Sequence, residues 1–585
     1  LYDRLIKSQH VDLPTLGYSS QKISFAIELN LDGKLIRTRD LRVREGGKLR
    51  QQIMVLPSIE RSGSGFRPQF LWDNTQYVLG AVRWDEKDPK KSEKKEERAK
   101  QAFETFKQYH LDLLSGTDSE EIQAVLKFLQ DWNPEKAKNL KDWEELADTN
   151  LVFIIENQRR YVHELEESIE CWGRSQVVKE AVRGHCLLTG HEQNLARLHP
   201  MIKGVDGAQS KGAAIASFNK SAFCSYAKEQ SYNAPLNEQD AFKYTTILNY
   251  LLRRDVANRQ RIKVGDTTVV FWTERESPVE SFLGMVFDPK DTEGDSEQLR
   301  LFLNAVRKGQ KPGAVDYDGD ILFYILGLSP NNSRLAVRFW HVCSVEQLMD
   351  RIGKHFRHLA MERAYDKEPL NPGVWHLLKE TARETKDISP VLGGALMRSI
   401  LEGTHYPLNL FNGVINRIRV EQAQKNSRTG KSVPNVNYLR AAICKAVLTR
   451  NFKMEVPMSL DKEQKDIAYL LGRLFAVLEK AQQGAIPGAN ATIKDRFYGS
   501  ASATPAAVFP RLMHLATHHY KKAKFGGYYE SIVSEIIDNI KSDGFPDHMN
   551  LKQQGMFSIG YYHQRNDLWR SKKGVEPGEE LVEKN

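Results

Sequence analysis

The sequence predicts a mixed α+β multidomain body with a C-terminal all-α helical bundle, and three observations carry that expectation. At 585 residues the chain is too long for one hydrophobic core. Short runs rich in β-branched and aromatic residues recur as far as Val342. From Ser344 onward apolar residues fall at helical spacing instead. The hydrophobic fraction of 41% and charged fraction of 27% describe a soluble globular protein, and no run of about 18 apolar residues proposes a membrane span.

The elements follow in order. Residues 1–100 read as a strand-rich basic region. Ile23–Leu31 alternates, Asp32-Gly33 turns, and Leu35–Leu41 continues, which is a hairpin signal. Lys34, Arg37, Arg39, Arg42, Arg44, Lys48, Arg50, Arg61 and Arg67 are offset only by Asp40, Glu45 and Glu60. Arg37 and Arg39 lie two apart, so a strand puts them on one face, suited either to a phosphate backbone or to an ordinary edge strand protected by charge. The loop Arg61 to Arg67 is glycine-rich and basic. Asp85–Lys100 is a mixed-charge run expected to be a solvated loop and the start of an exposed helix.

Residues 101–150 form a helical segment. Phe103, Phe106, Tyr109 and Leu113 mark one apolar face, and Ile122, Val125, Leu126 and Leu129 a second. Residues 151–343 form an α/β body. Its strands are Leu151–Ile155, Thr267–Trp272, Ile321–Leu326 and Leu335–Val342, and its helix is Ala241–Leu252. Within it, Gly184 to Pro235 stands out. Glycines 204, 207 and 212 surround Gln209, Ser210 and Lys211; Ser217-Phe218-Asn219 follows, then a helical run Lys220–Glu229, then Asn233. Glycine lets a backbone approach another surface, lysine meets phosphate, and amides read base edges. Asn219 also sits where a helix N-cap belongs. A second basic patch, with Arg259, Arg261 and Lys263, follows the Ala241–Leu252 helix.

Residues 344–453 read as a helical connector containing Val345–His358, Leu408–Gln424 and Tyr438–Thr449. Arg417, Arg419, Lys425, Arg428 and Lys431 make a third basic patch. Residues 454–585 read as a bundle of Asp461–Gln483, Thr504–His519, Tyr528–Asp543 and Leu551–Trp569 with short connections. Arg511, His514, His518 and Lys522 share one helical face, which could rest on phosphates or be an ordinary amphipathic surface.

No catalytic constellation is apparent. Asp316, Asp318 and Asp320 lack the later glutamate of a calcium loop and read as a turn between strands. Cys186 with His185, His191 and His199 matches no standard zinc spacing. Five scattered cysteines fit reduced thiols and a cytoplasmic setting. No metal or cofactor is expected. The net charge of +9 suits a nucleic-acid partner without requiring one.

A resemblance sharpens this reading. Cys186-Leu-Leu-Thr-Gly190, Ala196-Arg-Leu-His-Pro200, Lys203-Gly-Val205, Gly207-Ala-Gln-Ser210, Ser217-Phe-Asn219 and Asn233-Ala-Pro235 together resemble the large subunit of the type I-C CRISPR Cascade complex. So do Phe70-Leu-Trp-Asp-Asn-Thr75 with Tyr77-Val-Leu-Gly80, Leu326-Gly-Leu-Ser-Pro-Asn331 with Arg334 and Val337-Arg-Phe-Trp340, and the helical C-terminal part. The match runs in order along nearly the whole chain.

The resemblance implies a non-catalytic subunit of an RNA-guided surveillance complex that recognises the protospacer-adjacent motif in duplex DNA, helps separate the strands and recruits a helicase–nuclease. Implied partners are CRISPR RNA, target double-stranded DNA, and the backbone, handle-binding and small subunits. It also implies that the C-terminal bundle is translated separately from an internal start, for which Met454 and Met458 are candidates. Candidate motif readers are Gln209, Ser210, Lys211, Ser217, Asn219, Asn233 and Asn74. Candidate backbone contacts are Arg37, Arg39, Arg42, Arg61, Arg67, Lys203, Arg259, Arg261, Lys263, Arg417, Arg419, Lys431, Arg511 and Lys522. The competing classes are a metal-dependent nuclease or DNA-modifying enzyme, and an RNA-binding scaffold that never touches duplex DNA.

Overall fold

The computed structural model describes residues 1–7, 13–45, 47–59, 61, 65–176, 182–254, 258–277, 279–280, 284, 301, 304–306, 308, 318–365, 368–421, 424–425, 432–489, 491–540 and 544–569. The chain divides into two compact units. One joins Leu1–Ile202 to Ala216–Tyr250, and the other joins Lys203–Ile215 to Leu251–Asn585. The fold is mixed α+β with helices at its C-terminal end, as expected. Among the described residues no helix is long and apolar enough to cross a membrane.

The first unit is built on a four-stranded sheet in the order Leu35–Asp40, Phe25–Leu29, Asn150–Ile155, Trp72–Asn74. The expected hairpin forms its first pair. Gly33 turns it at φ +79°, and a Cβ there would lie 2.8 Å from the Ala124 carbonyl oxygen, so no other residue fits. The central pair is parallel.

Period-two alternation sends Phe25, Ile27, Leu29, Leu151 and Phe153 into one core. That core includes Phe103 and Phe106 of the helix Pro89–Leu114, and Ile122, Val125 and Leu129 of Glu120–Asp131. Ala26, Val152 and Ile154 face the opposite side, with Trp72, Ile23 and Leu56. Asp88 and Ser119 cap the two helices, the former just before Pro89 in the mixed-charge run.

One expected element is absent. Lys220–Glu229 is not a helix: a single 3₁₀ turn, Ser221–Phe223, is followed by irregular backbone. Tyr226 and Ala227 are both left-handed, at φ 52° and 55°. Most of the stretch is exposed, so a helix there would bury no apolar face. The N-cap position of the short turn is Lys220, not Asn219, and no side chain caps it.

The second unit starts from an antiparallel sheet in the order Arg261–Val264, Thr267–Thr273, Leu322–Asn331, Arg334–Ser344. Its inner face, with Val269, Phe271, Phe323, Ile325 and Phe339, opens a continuous apolar core that runs to Leu568. The helix Val345–Leu359 packs there. So does Tyr438–Phe452, which is buried on nearly every side and carries three buried cations. Arg440 pairs with Glu380 at 2.7 Å. Lys445 donates to the carbonyls of Arg357 and His358, which close the helix Val345–Leu359. Arg450 donates to the Ser399 and Thr404 carbonyls. Each charge is therefore buried with acceptors around it.

The bundle helices are Ile467–Ala485, Ile493–Ala501, Pro505–Lys522, Gly526–Asp538 and Leu551–Trp569. Ile493–Ala501 was not anticipated from periodicity, although Thr492 and Asp495 form a capping box at its start. Ile467–Ala485 and Leu551–Trp569 touch backbone to backbone. A Cβ on Gly472 would lie 2.1 Å from the Phe557 carbonyl oxygen, and one on Gly560 would lie 2.1 Å from that of Tyr469. Arg473, wholly buried, donates to Gln564 at 2.9 Å and Glu535 at 3.0 Å.

Candidate nucleic-acid interface

In the second unit, the segment Lys203–Ile215 is a loop fastened at both ends to the sheet. Asp206 is the anchor. Its carboxylate meets Arg254 at 3.0 Å and Arg261 at 2.7 Å, and its backbone N–H donates to Thr268 Oγ1 at 3.0 Å. Arg261 also donates to the Gly204 carbonyl. Gly204 has φ +92°, and a Cβ would lie 2.5 Å from the Leu252 carbonyl oxygen, so glycine is obligatory there. At the other end the Ala214 N–H donates to the Ser333 carbonyl at 3.1 Å, and the Ala214 carbonyl accepts from Leu335 at 2.9 Å.

Between these anchors the Gly212 N–H closes a turn on the Gln209 carbonyl at 2.9 Å. Gln209, Ser210 and Lys211 stand exposed at the tip. Among the described residues no hydrogen bond or ion pair engages their side chains. The loop thus offers an amide, a hydroxyl and an ammonium from a fixed mount, the chemistry that reads base edges and grips phosphate.

The second basic patch divides. Arg261 belongs to the loop's anchor, Lys263 is exposed on the same strand face, and Arg259 is half-buried. Lys203 is exposed. Sequence reasoning missed Asp206, because nothing at position 206 announces a partner 55 residues away.

The remaining motif-reader candidates lie in the first unit. Asn233 is engaged in its own loop: its side-chain oxygen accepts from the Ser225 N–H at 2.8 Å, and its NH₂ donates to the carbonyls of Lys228 and Gln230. These bonds hold the left-handed turn whose tip is Tyr226, a side chain 95% exposed that sequence reasoning did not single out. Asn74 caps the short helix Thr75–Val78, accepting from Gln76. Ser217 is half-buried and Asn219 exposed.

Among the backbone candidates of this unit, Arg37 pairs across the hairpin with Glu28 at 2.6 Å. Arg42 pairs with Asp40 at 2.7 Å and with Glu145. Arg39 is exposed beside Arg37 on the same strand face. Arg61 pairs with Asp73, whose carboxylate is 1% exposed, and lies 4.4 Å over the Tyr77 ring. Burial holds the Asp73 carboxyl above its ordinary range despite that arginine. Arg67 is exposed.

In the helical part, Arg417 is tied to Glu421 at 3.3 Å and to the Lys379 carbonyl at 2.6 Å, whereas Arg419 is exposed. Lys431 and Arg428 lie outside the described residues. Arg511, His514, His518 and Lys522 do share one exposed face of Pro505–Lys522, with Leu512, Ala516 and His519 buried behind.

Of the suspected zinc ligands, His199 bonds Tyr244 Oη at 2.9 Å through Nδ1, and Cys186 is buried near Asn237 and Asp240. Among the described residues no group of three or more His, Cys, Asp or Glu side chains is placed to hold a metal ion.

A family model described as CRISPR-associated protein (Cas_Csd1) matches residues 1–569. No curated protein matches the chain significantly.

Proposed function

The chain belongs to the Cas_Csd1 family, the large-subunit family of the type I-C Cascade complex, and from that premise we propose that it reads the protospacer-adjacent motif in duplex DNA through the loop Lys203–Ile215. The observation that carries the proposal is the fixed loop with three unengaged polar side chains, Gln209, Ser210 and Lys211. Guide pairing supplies most of the specificity in such complexes, so the protein needs only a short reader and cations for the backbone. Ser217 and Asn219 are secondary readers in this proposal. Exposed Arg39, Arg67, Lys203, Lys263, Arg419, Arg511 and Lys522 are its backbone contacts.

The subunit acts without catalysis of its own. It works with CRISPR RNA and the other Cascade subunits, helps open the target, and hands it to a recruited helicase–nuclease. Metal-dependent DNA cutting by the purified chain would overturn the non-catalytic assignment.

The test compares the assembled complex carrying Gln209→Ala, Ser210→Ala and Lys211→Ala with wild type on two targets. One is a duplex bearing the motif, the other a pre-opened target. The duplex should bind more weakly, by roughly 1–3 kcal/mol per lost base contact. The pre-opened target should bind as before. Equal weakening of both would reduce these residues to a structural role.

A further inference from the structure

The antiparallel sheet of the second unit has a second face, turned away from the apolar core. The strand register puts Trp272 opposite Tyr324, and Trp340 opposite Leu326 one row along. The Trp272 and Tyr324 rings stack with centroids 5.5 Å apart and 10° between planes. Trp340 leans on both, at 5.7 Å and 6.0 Å. It is 50% exposed, and neighbouring Val342 is exposed too. A tryptophan left half in water beside stacked rings does nothing for the core, and a contiguous exposed apolar patch marks a binding surface.

Two further features say what binds. The patch is bordered by cations: Lys263 is exposed on one edge strand, and Arg338 is exposed on the other, at the bulge opposite Leu328, with Asp266 as its partner. The fixed loop also lies over the end of this same face, through the Asp206–Thr268 bond and the closeness of Gly207 to Pro330, whose Cγ would lie 3.3 Å from a Cβ at position 207. Pro330 and Leu326 are about 13 Å apart along one strand, so the loop and the Trp340 row are a few nucleotides from each other.

We infer that this aromatic face is a base-stacking platform for single-stranded DNA leaving the fixed loop. Aromatic faces stack any base, and flanking cations follow the phosphates, so such a site takes a strand without regard to sequence. The inference rests on the proposed function only for the strand being DNA rather than RNA.

The experiment measures binding of the purified full-length chain to oligothymidylate, to oligouridylate and to an abasic DNA oligomer of equal length. Wild type should prefer oligothymidylate over the abasic oligomer roughly tenfold. Trp340→Leu keeps an apolar side chain but removes the ring; it should erase that preference and leave abasic binding unchanged. Trp340→Phe should retain most of it. Gln209→Ala with Lys211→Ala should keep oligothymidylate binding, so a failure of motif reading and a failure of the platform are separable.

Equal wild-type affinity for thymidylate and abasic DNA would overturn the inference. So would a Trp340→Leu chain that binds thymidylate normally, including one that instead fails to assemble with the other subunits, which would make the face a protein interface. Preference for uridylate over thymidylate would overturn the assignment to DNA.

Discussion

Arg61→Ala separates two roles that a basic loop residue can play. Sequence alone made Arg61 a candidate phosphate contact. In the fold its guanidinium pairs with Asp73, a carboxylate that also accepts from the N–H groups of Gln69 at 3.0 Å and Asn74 at 2.8 Å. Removing one partner of a buried ion pair costs about 3–5 kcal/mol, because a charge stays behind in low dielectric. Two backbone donors remain here, and Arg61 is itself 35% exposed. Water can reach the gap, so the expected loss is nearer 2–3 kcal/mol.

Urea unfolding of the full chain is the assay, with the first unit's transition moving down by on the order of 1 M. Burial holds the Asp73 carboxyl above its ordinary range, so the loss should be greatest at neutral pH and shrink as acid protonates that carboxyl, since a protonated Asp73 needs no cation. Adding Asp73→Asn to Arg61→Ala should restore at least half of it. If Arg61→Ala leaves unfolding unchanged but weakens DNA binding and flattens its salt dependence, Arg61 meets phosphate and the buried-pair argument fails.

Three further outcomes are expected. His110 accepts from the Leu71 N–H at 2.8 Å and donates to the Phe106 carbonyl, and burial pushes its pKa down to about 4. A base with a lowered folded pKa gives stability that is present above about 6.5 and lost as pH falls toward 4, here about 3 kcal/mol. His110→Asn should flatten the pH dependence of the first unit's stability in that window, and an unchanged slope would refute the assignment.

Gly472→Ala should destabilise the second unit by about 1–3 kcal/mol through forced separation of two helices, outweighing the gain of about 1 kcal/mol in helix propensity. Gly527→Ala, with nothing within 4 Å of the new methyl, should be neutral in the same melt; equal effects would discredit the close-approach argument. Asn233→Ala should free the turn around Tyr226 and speed tryptic cleavage at Lys228 while leaving motif preference intact. Unchanged cleavage with lost preference would make Asn233 a base reader.

What was legible in the sequence was local. The Asp32-Gly33 hairpin and the helices through Phe103–Phe106 and Ile122–Leu129 follow from turn chemistry and apolar period, which neighbouring residues set. The run Lys220–Glu229 misled because its shape comes from a side chain outside it, Asn233, and not from any apolar face. The basic patches misled in the same way. Arg42 is answered by Glu145, Arg261 by Asp206 and Arg417 by Glu380, all remote in sequence, so charge excess along the chain overstated the charge left for a ligand. Gln209, Ser210 and Lys211 stand out in the sequence as a glycine-flanked polar cluster and are exposed in the fold, but the anchors that hold their loop lie in three other segments.

The backbone-to-backbone seat of Leu551–Trp569 on Ile467–Ala485 has a consequence for synthesis. The partner that completes the core is made well after the helix it covers. After Ile467–Ala485 emerges, its almost wholly buried face waits about 80 residues for that partner, which at 5–20 residues per second is on the order of 4–16 s. During that interval an apolar helix stands open in a nascent chain. Ribosome-bound chains halted before Leu551 should therefore recruit chaperones that chains halted beyond Trp569 do not.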